Sequence, residues 1–247
     1  MDLKSFIDST YLKTAAQAQL SDLENDKIVA ATAQEAVSEK YKLVMVRPEC
    51  VAMIKKIIVD ASSTVDVGTV ISFPSGTNSI ADKLAEAVNA IADGADDLDF
   101  VINYEAFKNG AINLVKQEVL ECTRLGIDHA KVVKWIIETA ALTTDEIIKI
   151  CVLIKNVVLS NFKEQWYQSI FIKSSTGFFK TENNLPNGAT IDVIVMMLEN
   201  GSPLSIKASG GIKTHDEAVA MIKLGVKRIG TSAAKAIVDN HFTNGDY

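Results

Sequence analysis

Short apolar runs rich in β-branched residues recur along the chain, and stretches with apolar residues every three or four positions separate them. The first pattern predicts buried β-strands and the second predicts amphipathic helices. The clearest helical stretches cover 26–41, 80–95, 143–158 and 214–226. The predicted strands cover 5–12, 43–48, 68–74, 97–103, 131–138, 169–175, 204–209 and 227–232. Eight strands that alternate with helices predict a (β/α)8 barrel.

The length of 247 residues suits one such barrel, so we predict a single domain over 1–247 with a mobile C-terminal tail over 240–247. An open, doubly wound sheet is the less favoured alternative. No G-x-G-x-x-G motif follows an early strand, as a dinucleotide site would require.

Polar residues in several predicted strands recur with a period of two, which places them on one face of the strand. In a barrel, that face points inward near the carboxyl ends of the strands, where barrel enzymes have their sites. The apolar Val133, Ile172 and Ile206 have the opposite parity and should face the helices. The inward set comprises Asp8, Asp97, Asp99, Asn103, Lys134, Glu138, Lys173, Ser175, Ser205, Lys207 and Ser209.

Two of these residues are lysines within apolar runs, Lys173 in SIFIKSSTGFF and Lys207 in LSIKASGGI. A single lysine can blunt a sheet edge, and a single carboxylate can cap a helix, so we favour a structural role for Asp8 or Glu138 taken alone. A closed barrel has no edge to protect. Burial and a second nearby cation both lower the pKa of a lysine, and a neutral amine can attack a carbonyl. The pair therefore predicts Schiff-base chemistry, with Asp99 positioned to move protons.

Three glycine-containing segments follow the last three predicted strands: SSTG at 174–177, SGG at 209–211 and IGTSA at 229–233. Each segment alone is more often a simple turn. Together they predict a phosphate end of the pocket that includes Gly177, Gly210 and Gly211, because exposed N–H groups near helix N-termini bind anions.

The net charge of −6 and the sequence pI near 5.2 argue against a general nucleic-acid binder. No apolar stretch has the length of a signal peptide core or a membrane span, so we expect a cytoplasmic protein. The scattered Cys50, Cys122 and Cys151 predict buried thiols rather than a disulfide framework. The three histidines form no sequence-local cluster, and we expect no metal site.

These motifs resemble those of the deoxyribose-phosphate aldolases, a family of class I aldolases with a (β/α)8 barrel. The similarity covers nearly the whole chain through IDSTYL, SFPSG, DLDFVIN, KWIIET, FIKSSTGF, KASGGI and RIGTS. It implies the reversible cleavage of 2-deoxy-D-ribose 5-phosphate to acetaldehyde and D-glyceraldehyde 3-phosphate. Lys173 would form the Schiff base, Lys207 would lower its pKa, and Asp99 would be the acid/base partner. The resemblance also implies no cofactor, a sugar phosphate and aldehydes as small-molecule partners, and a homodimer.

Further site residues follow from the same resemblance. Phe178 stands where some relatives carry lysine, which leaves phosphate binding to backbone groups and Ser232. Asp8 and Lys134 are additional candidates for substrate binding. Some family members end in a tyrosine that reaches the active site, so Tyr247 is a catalytic candidate, although a polar chain end is by default without such a role.

Two other functions compete with this interpretation. Another Schiff-base barrel aldolase or a transaldolase would also use a strand lysine but would act on a ketose donor. A sugar-phosphate-binding barrel without catalytic activity would use the lysines only to hold anions. Reduction with borohydride separates this second alternative from the aldolases, because only an imine yields a stable adduct.

Overall fold

A computed structural model of the protein describes residues 2–182 and 188–240. All eight predicted strands are confirmed, and they form one closed, parallel barrel in which each strand pairs with the next and β8 pairs with β1. The chain is therefore a (β/α)8 barrel. The strands are β1 Ile7–Thr10, β2 Leu43–Val46, β3 Asp66–Ile71, β4 Asp97–Val101, β5 Val132–Ile136, β6 Ile170–Lys173, β7 Ser205–Ser209 and β8 Arg228–Thr231.

Helices surround the barrel, and the four that the periodicity predicts most clearly are confirmed as α2, α4, α7 and α9. Across the described ranges, the helices are α1 Ala15–Ala18, α2 Asp22–Glu39, α3 Val51–Asp60, α4 Ile80–Ala92, α5 Tyr104–Lys108, α6 Ile112–Asp128, α7 Thr144–Asn161, α8 Ile191–Gly201, α9 His215–Leu224 and α10 Ala234–Val238. Within residues 2–182 and 188–240, no helix is long and apolar enough to cross a membrane.

Side-chain caps determine where several helices begin. Thr143 and Thr214 each accept a hydrogen bond from the backbone N–H of a glutamate three residues later, and each glutamate bonds back to the cap. Ser21 forms the same arrangement with Glu24. For this reason α2 begins at Asp22, four residues before the predicted start of its apolar pattern.

The apolar residues of opposite parity face the helices, as predicted. A side chain at Gly126 of α6 would overlap Val133 of β5, and one at Gly201 of α8 would approach Ile172 and Ile206 within 2.9 and 3.3 Å. Most of the hydrophobic core therefore lies between the barrel and its helices, and the barrel interior is available to polar side chains.

Several strands end two or three residues earlier than the sequence pattern predicts. Asn103 lies beyond the end of β4, where its side chain caps α5 by accepting a hydrogen bond from the Ala106 N–H. Glu138 lies beyond β5 with a positive φ of 53°, a conformation that non-glycine residues rarely adopt. Asn103 thus caps a helix, and Glu138 bonds to the loop after β6, instead of continuing the strand ladder.

An ion pair buried outside the barrel connects the segments that follow β3 and β4. Lys83 of α4 pairs with Glu118 of α6, and neither side chain is more than 2% exposed. The Lys83 ammonium also donates to the carbonyls of Gly76 and Val101, at 2.7 and 2.8 Å. Glu118 accepts from the Asn103 N–H at 3.2 Å. The pair thus joins the loop after β3 to the end of β4, next to the barrel mouth.

We predict that Lys83→Met lowers the free energy of unfolding by about 3–5 kcal/mol, because it leaves a buried carboxylate without its cation. Urea denaturation measures this change. The double variant Lys83→Met/Glu118→Leu should recover part of the loss, and Lys56→Met, which breaks the exposed Lys56–Asp60 pair, should cost less than about 1 kcal/mol. A loss at Lys83 as small as that at Lys56 would contradict the assignment.

Candidate active site

The barrel interior contains a network of seven charged residues from six strands, and none of these residues is more than 5% exposed. Its members are Asp8 of β1, Asp97 and Asp99 of β4, Lys134 of β5, Lys173 of β6, Lys207 of β7 and Arg228 of β8. We call this set the interior network. It brings together the predicted Asp8, Asp99, Lys134, Lys173 and Lys207, which confirms that their inward parity places them in one cluster.

Asp99 lies at the centre of the interior network and binds three ammonium groups. Its Oδ2 is 2.9 Å from the Lys173 Nζ and 3.0 Å from the Lys207 Nζ, and its Oδ1 is 2.8 Å from the Lys134 Nζ. Burial acts to raise the pKa of Asp99, but the three lysines together hold it well below its usual range. Asp99 is therefore a carboxylate at neutral pH.

The two remaining carboxylates of the network bind cations other than Lys173. Asp8 Oδ2 lies 2.6 Å from the Lys207 Nζ, and its Oδ1 lies 2.6 Å from an Arg228 nitrogen. Asp97 Oδ2 lies 2.6 Å from the Lys134 Nζ and 3.3 Å from Arg228. Lys134, Lys207 and Arg228 thus each pair with two carboxylates, whereas Lys173 pairs with Asp99 alone among the described residues.

The electrostatic surroundings of Lys173 lower its pKa to about 8. Burial is the largest cause, because an apolar environment disfavours the ammonium form. Asp99 opposes this shift, and the charges of Lys207 and Lys134 add to it. The expected effect of Lys207 therefore has the right direction but is smaller than that of burial. At neutral pH most of Lys173 is still protonated, but the lowered pKa makes the nucleophilic neutral amine far more abundant than in an ordinary lysine.

Glycine at position 230 makes room for Lys207. A Cβ on Gly230 would lie 3.0 Å from the Lys207 Cε and 3.1 Å from the Ser209 Cβ. A larger residue here would push the lysine stem from its position between Asp8 and Asp99. The G in RIGTS therefore has a packing role in addition to any role in a turn.

Glu138, for which the sequence alone favoured a structural role, makes contacts that the sequence analysis did not predict. It is 1% exposed and accepts hydrogen bonds from the Ser175 hydroxyl at 2.6 Å, the Thr176 hydroxyl and the Thr176 N–H. Burial raises its pKa. The shared parity with Lys134 was the available signal, but parity alone does not show that the loop after β6 closes over the carboxylate.

Arg228 is a second residue that the sequence analysis missed. It opens β8 next to Lys227, where a basic pair is usually solvated, and the inward position follows only from the register that places Arg228 beside Lys207. The Arg228 Nε donates to Asp8 across 220 positions of sequence. No local pattern could reveal such a contact.

The predicted phosphate residues line two separate clefts. Gly210 and Gly211 line a cleft of about 570 Å³ together with Lys213 and with Thr190, which caps α8. Ser232 lines another cleft, of about 340 Å³. Gly177 lies in the loop after β6 with a φ of 80°, and its N–H donates to the Ser175 hydroxyl. Tyr247 and the rest of 241–247 lie outside the described residues.

Phe178 contacts an arginine as well as a second aromatic ring. Its ring meets Phe73 edge to face, with centroids 5.0 Å apart. The Arg47 guanidinium lies 4.9 Å from the Phe73 centroid and 6.0 Å from that of Phe178. A cation is therefore present beside the position where some relatives carry lysine.

Comparison with known proteins identifies the family. The deoxyribose-phosphate aldolase of Lactiplantibacillus plantarum is 38% identical over 239 residues, which cover 96% of this chain and 99% of the relative. That of Thermococcus gammatolerans is 36% identical over 97% of this chain and 96% of its own length. The chain belongs to the deoxyribose-phosphate aldolase family. It is therefore an aldolase and a lyase.

A solved structure agrees with this assignment to the deoxyribose-phosphate aldolases. The tetrameric deoxyribose-phosphate aldolase of Aeropyrum pernix superposes with a TM-score of 0.76 at 25% identity, over 96% of this chain and 89% of that one. No protein-family model matches the sequence.

We predict that Lys207→Leu raises the pKa of Lys173 above about 8, because it removes a cation that disfavours the Lys173 ammonium. Trapping of acetaldehyde on Lys173 by cyanoborohydride should slow at pH 7 and recover in part as the pH rises. Peptide mass spectrometry across a pH series measures this. Lys207→Arg keeps the charge and should shift the profile less; loss by one constant factor at every pH would assign Lys207 to positioning instead.

Proposed function

We propose that this protein reversibly cleaves 2-deoxy-D-ribose 5-phosphate to acetaldehyde and D-glyceraldehyde 3-phosphate through a Schiff base on Lys173. The observation that carries the proposal is the buried Lys173 amine, with a pKa of about 8, held 2.9 Å from a carboxylate of Asp99. The sequence relatives named above bear the name of this enzyme. A barrel that only holds anions has no use for a lysine whose ammonium form is destabilised by burial.

In the cleavage direction, the neutral Lys173 amine adds to the C1 aldehyde, and loss of water gives a protonated imine. A base then takes the proton of the C3 hydroxyl, the C2–C3 bond breaks, and its electrons move into the enamine. D-Glyceraldehyde 3-phosphate leaves, C2 is protonated, and water releases acetaldehyde. The protonated imine is the electron sink, so the chemistry needs neither a metal nor an organic cofactor.

Asp99 is the group we assign to proton transfer, directly or through a water molecule. It is ionised and lies within hydrogen-bond reach of both Lys173 and Lys207. When Lys173 becomes an imine, its N–H can still donate to Asp99. The carboxylate can thus stabilise the iminium charge and accept protons during the same cycle.

Asp8 and Lys134 are fully buried, and their charged atoms form ion pairs with other members of the interior network. These contacts support a positioning role, in which Asp8 holds Lys207 and Lys134 holds Asp99. Direct contact of either residue with the substrate stays a prediction.

The phosphate of the substrate would bind at the mouth, near the loops after β6, β7 and β8. The cleft at Gly210 and Gly211 offers backbone N–H groups, the N-terminus of α8 and the Lys213 side chain. Ser232 lines a separate cleft and the Gly177 N–H is bonded to the Ser175 hydroxyl, so the role of these two residues in phosphate binding stays a prediction from the sequence. The sequence analysis did not single out Lys213, whose signal was its position directly after KASGGI.

Two further proposals concern the cellular compartment and the association of copies of the chain. All three cysteines are free and buried, as predicted, which suits a reducing compartment, and we assign the enzyme to the cytoplasm. We also propose a homodimer. The Aeropyrum pernix relative is described as a tetramer, so association between copies occurs in the family.

Incubation with 2-deoxy-D-ribose 5-phosphate or acetaldehyde and borohydride should add a two-carbon unit to Lys173, detected by peptide mass spectrometry. Lys173→Leu should abolish the adduct and the cleavage activity at every pH. Dihydroxyacetone phosphate is the matched donor control, since a ketose-specific aldolase or transaldolase would form its adduct with this compound instead. No adduct with any carbonyl compound would favour the non-catalytic barrel.

We predict that Ser232→Asp raises the KM for 2-deoxy-D-ribose 5-phosphate at least tenfold, because the new carboxylate repels the phosphate. Steady-state kinetics should show a much smaller effect with 2-deoxy-D-ribose. Ser232→Asn, of similar size and uncharged, is the matched control. An equal effect of the aspartate on both sugars would place the phosphate away from Ser232, and Lys213→Gln would then test the Gly210–Gly211 cleft.

A further inference from the structure

The interior network contains more basic groups than carboxylates. Within the part of the chain that the structure describes, it contains three carboxylates, on Asp8, Asp97 and Asp99, and four basic groups, on Lys134, Lys173, Lys207 and Arg228. If all seven were ionised, the dry interior would hold a net charge of +1. An unbalanced charge in a low-dielectric site is costly, and a titratable group relieves the cost by changing its protonation state.

The ion pairs decide which basic group loses its proton. Lys134 binds Asp97 and Asp99, Lys207 binds Asp8 and Asp99, and the Arg228 guanidinium binds Asp8 and Asp97. Lys173 binds one oxygen of Asp99, which it shares with Lys207. A guanidinium does not deprotonate in proteins, so Arg228 always contributes a full positive charge.

We propose that Arg228 is a tuning residue of the aldolase: by neutralising Asp8 and Asp97, it makes Lys173 the surplus cation of the interior network and so favours the uncharged form of the nucleophile. The inference rests on the proposed Schiff-base function. Arg228 and Lys173 are both cations, so Arg228 acts on Lys173 through the carboxylates that it binds. Without Arg228, the negative charge of Asp8 and Asp97 would exceed what Lys134 and Lys207 neutralise, and this excess would stabilise a Lys173 ammonium.

The groups that face Lys173 come from every side of the site. Asp99 faces it from β4, Lys134 from β5 and Lys207 from β7. Glu138, beyond β5, also faces Lys173, but hydroxyl and amide donors hold its carboxyl, and burial raises its pKa. Glu138 is a further carboxyl near Lys173 that lies outside the interior network, and the variants below leave it unchanged.

The proposal predicts opposite effects for two neighbouring substitutions. Arg228→Gln leaves three carboxylates and three lysines, so Lys173 should keep its proton to higher pH. Asp97→Asn leaves two carboxylates for Lys134, Lys207 and Arg228, so Lys173 should lose its proton at lower pH. Asp97→Asn/Arg228→Gln restores the original excess of one cation. The double variant should therefore titrate near the wild type although it is the most altered structurally.

The experiment is the pH dependence of acetaldehyde trapping on Lys173 by cyanoborohydride, quantified by peptide mass spectrometry. The midpoint should rise by about one pH unit or more in Arg228→Gln, which corresponds to about tenfold slower trapping at pH 7. It should fall in Asp97→Asn and return toward the wild-type value in the double variant. Arg228→Lys keeps a cation and should shift the midpoint less than Arg228→Gln. Circular dichroism shows which variants are folded.

The outcomes distinguish failure of the proposed function from failure of the proposed role of Arg228. If the wild-type protein is never trapped at Lys173, the proposed function fails. If the wild type is trapped but Arg228→Gln and Asp97→Asn move the midpoint in the same direction or leave it unchanged, only the role of Arg228 is overturned. If Arg228→Gln does not fold, two comparisons still decide the question. The midpoint should fall in Asp97→Asn relative to the wild type, and it should rise in the double variant relative to Asp97→Asn.

Discussion

The structure of the site depends on one carboxylate that three ammonium groups share. Asp99 binds Lys134, Lys173 and Lys207 within 3.0 Å, and these residues come from four strands of the barrel. Removal of one partner from such a cluster is destabilising, because it leaves an uncompensated charge in a dry interior. Closure of the barrel brings the partners together. A closed barrel directs inward-facing side chains from different strands toward one axis, and it leaves no strand edge open to water.

Apolar packing around the barrel and polar contacts at its mouth together hold this cluster in position. Apolar residues of opposite parity pack against glycines of the surrounding helices, so the strands lie close to α6 and α8 and their register is fixed by the burial of that face. Outside the barrel, the Lys83–Glu118 pair binds the loops after β3 and β4, and Glu138 binds the loop after β6. The charged interior thus depends on hydrophobic packing for its position and on separate polar contacts at its mouth.

Periodicity in the sequence predicted the features that depend on residue types at short, fixed spacing. The eight strands and the inward faces of Asp99, Lys173 and Lys207 follow from residue types at fixed spacing. Arg228 and Glu138 could not be assigned in this way. The role of Arg228 follows from a contact with Asp8 at the other end of the chain, and that of Glu138 follows from a backbone turn with positive φ. The excess of one cation in the site also became visible only when all strands had been brought together.

The same electrostatics that prepare the nucleophile oppose folding. In the unfolded chain, Lys173 has an ordinary pKa near 10.4, whereas in the folded protein it is about 8. Between these values the unfolded state binds more protons than the folded state, so the contribution of Lys173 to stability rises with pH across this window. At neutral pH, the fold therefore holds a lysine in surroundings that disfavour its charge. The hydrophobic layer between barrel and helices offsets that cost, and the neutral amine that results is the form able to attack an aldehyde.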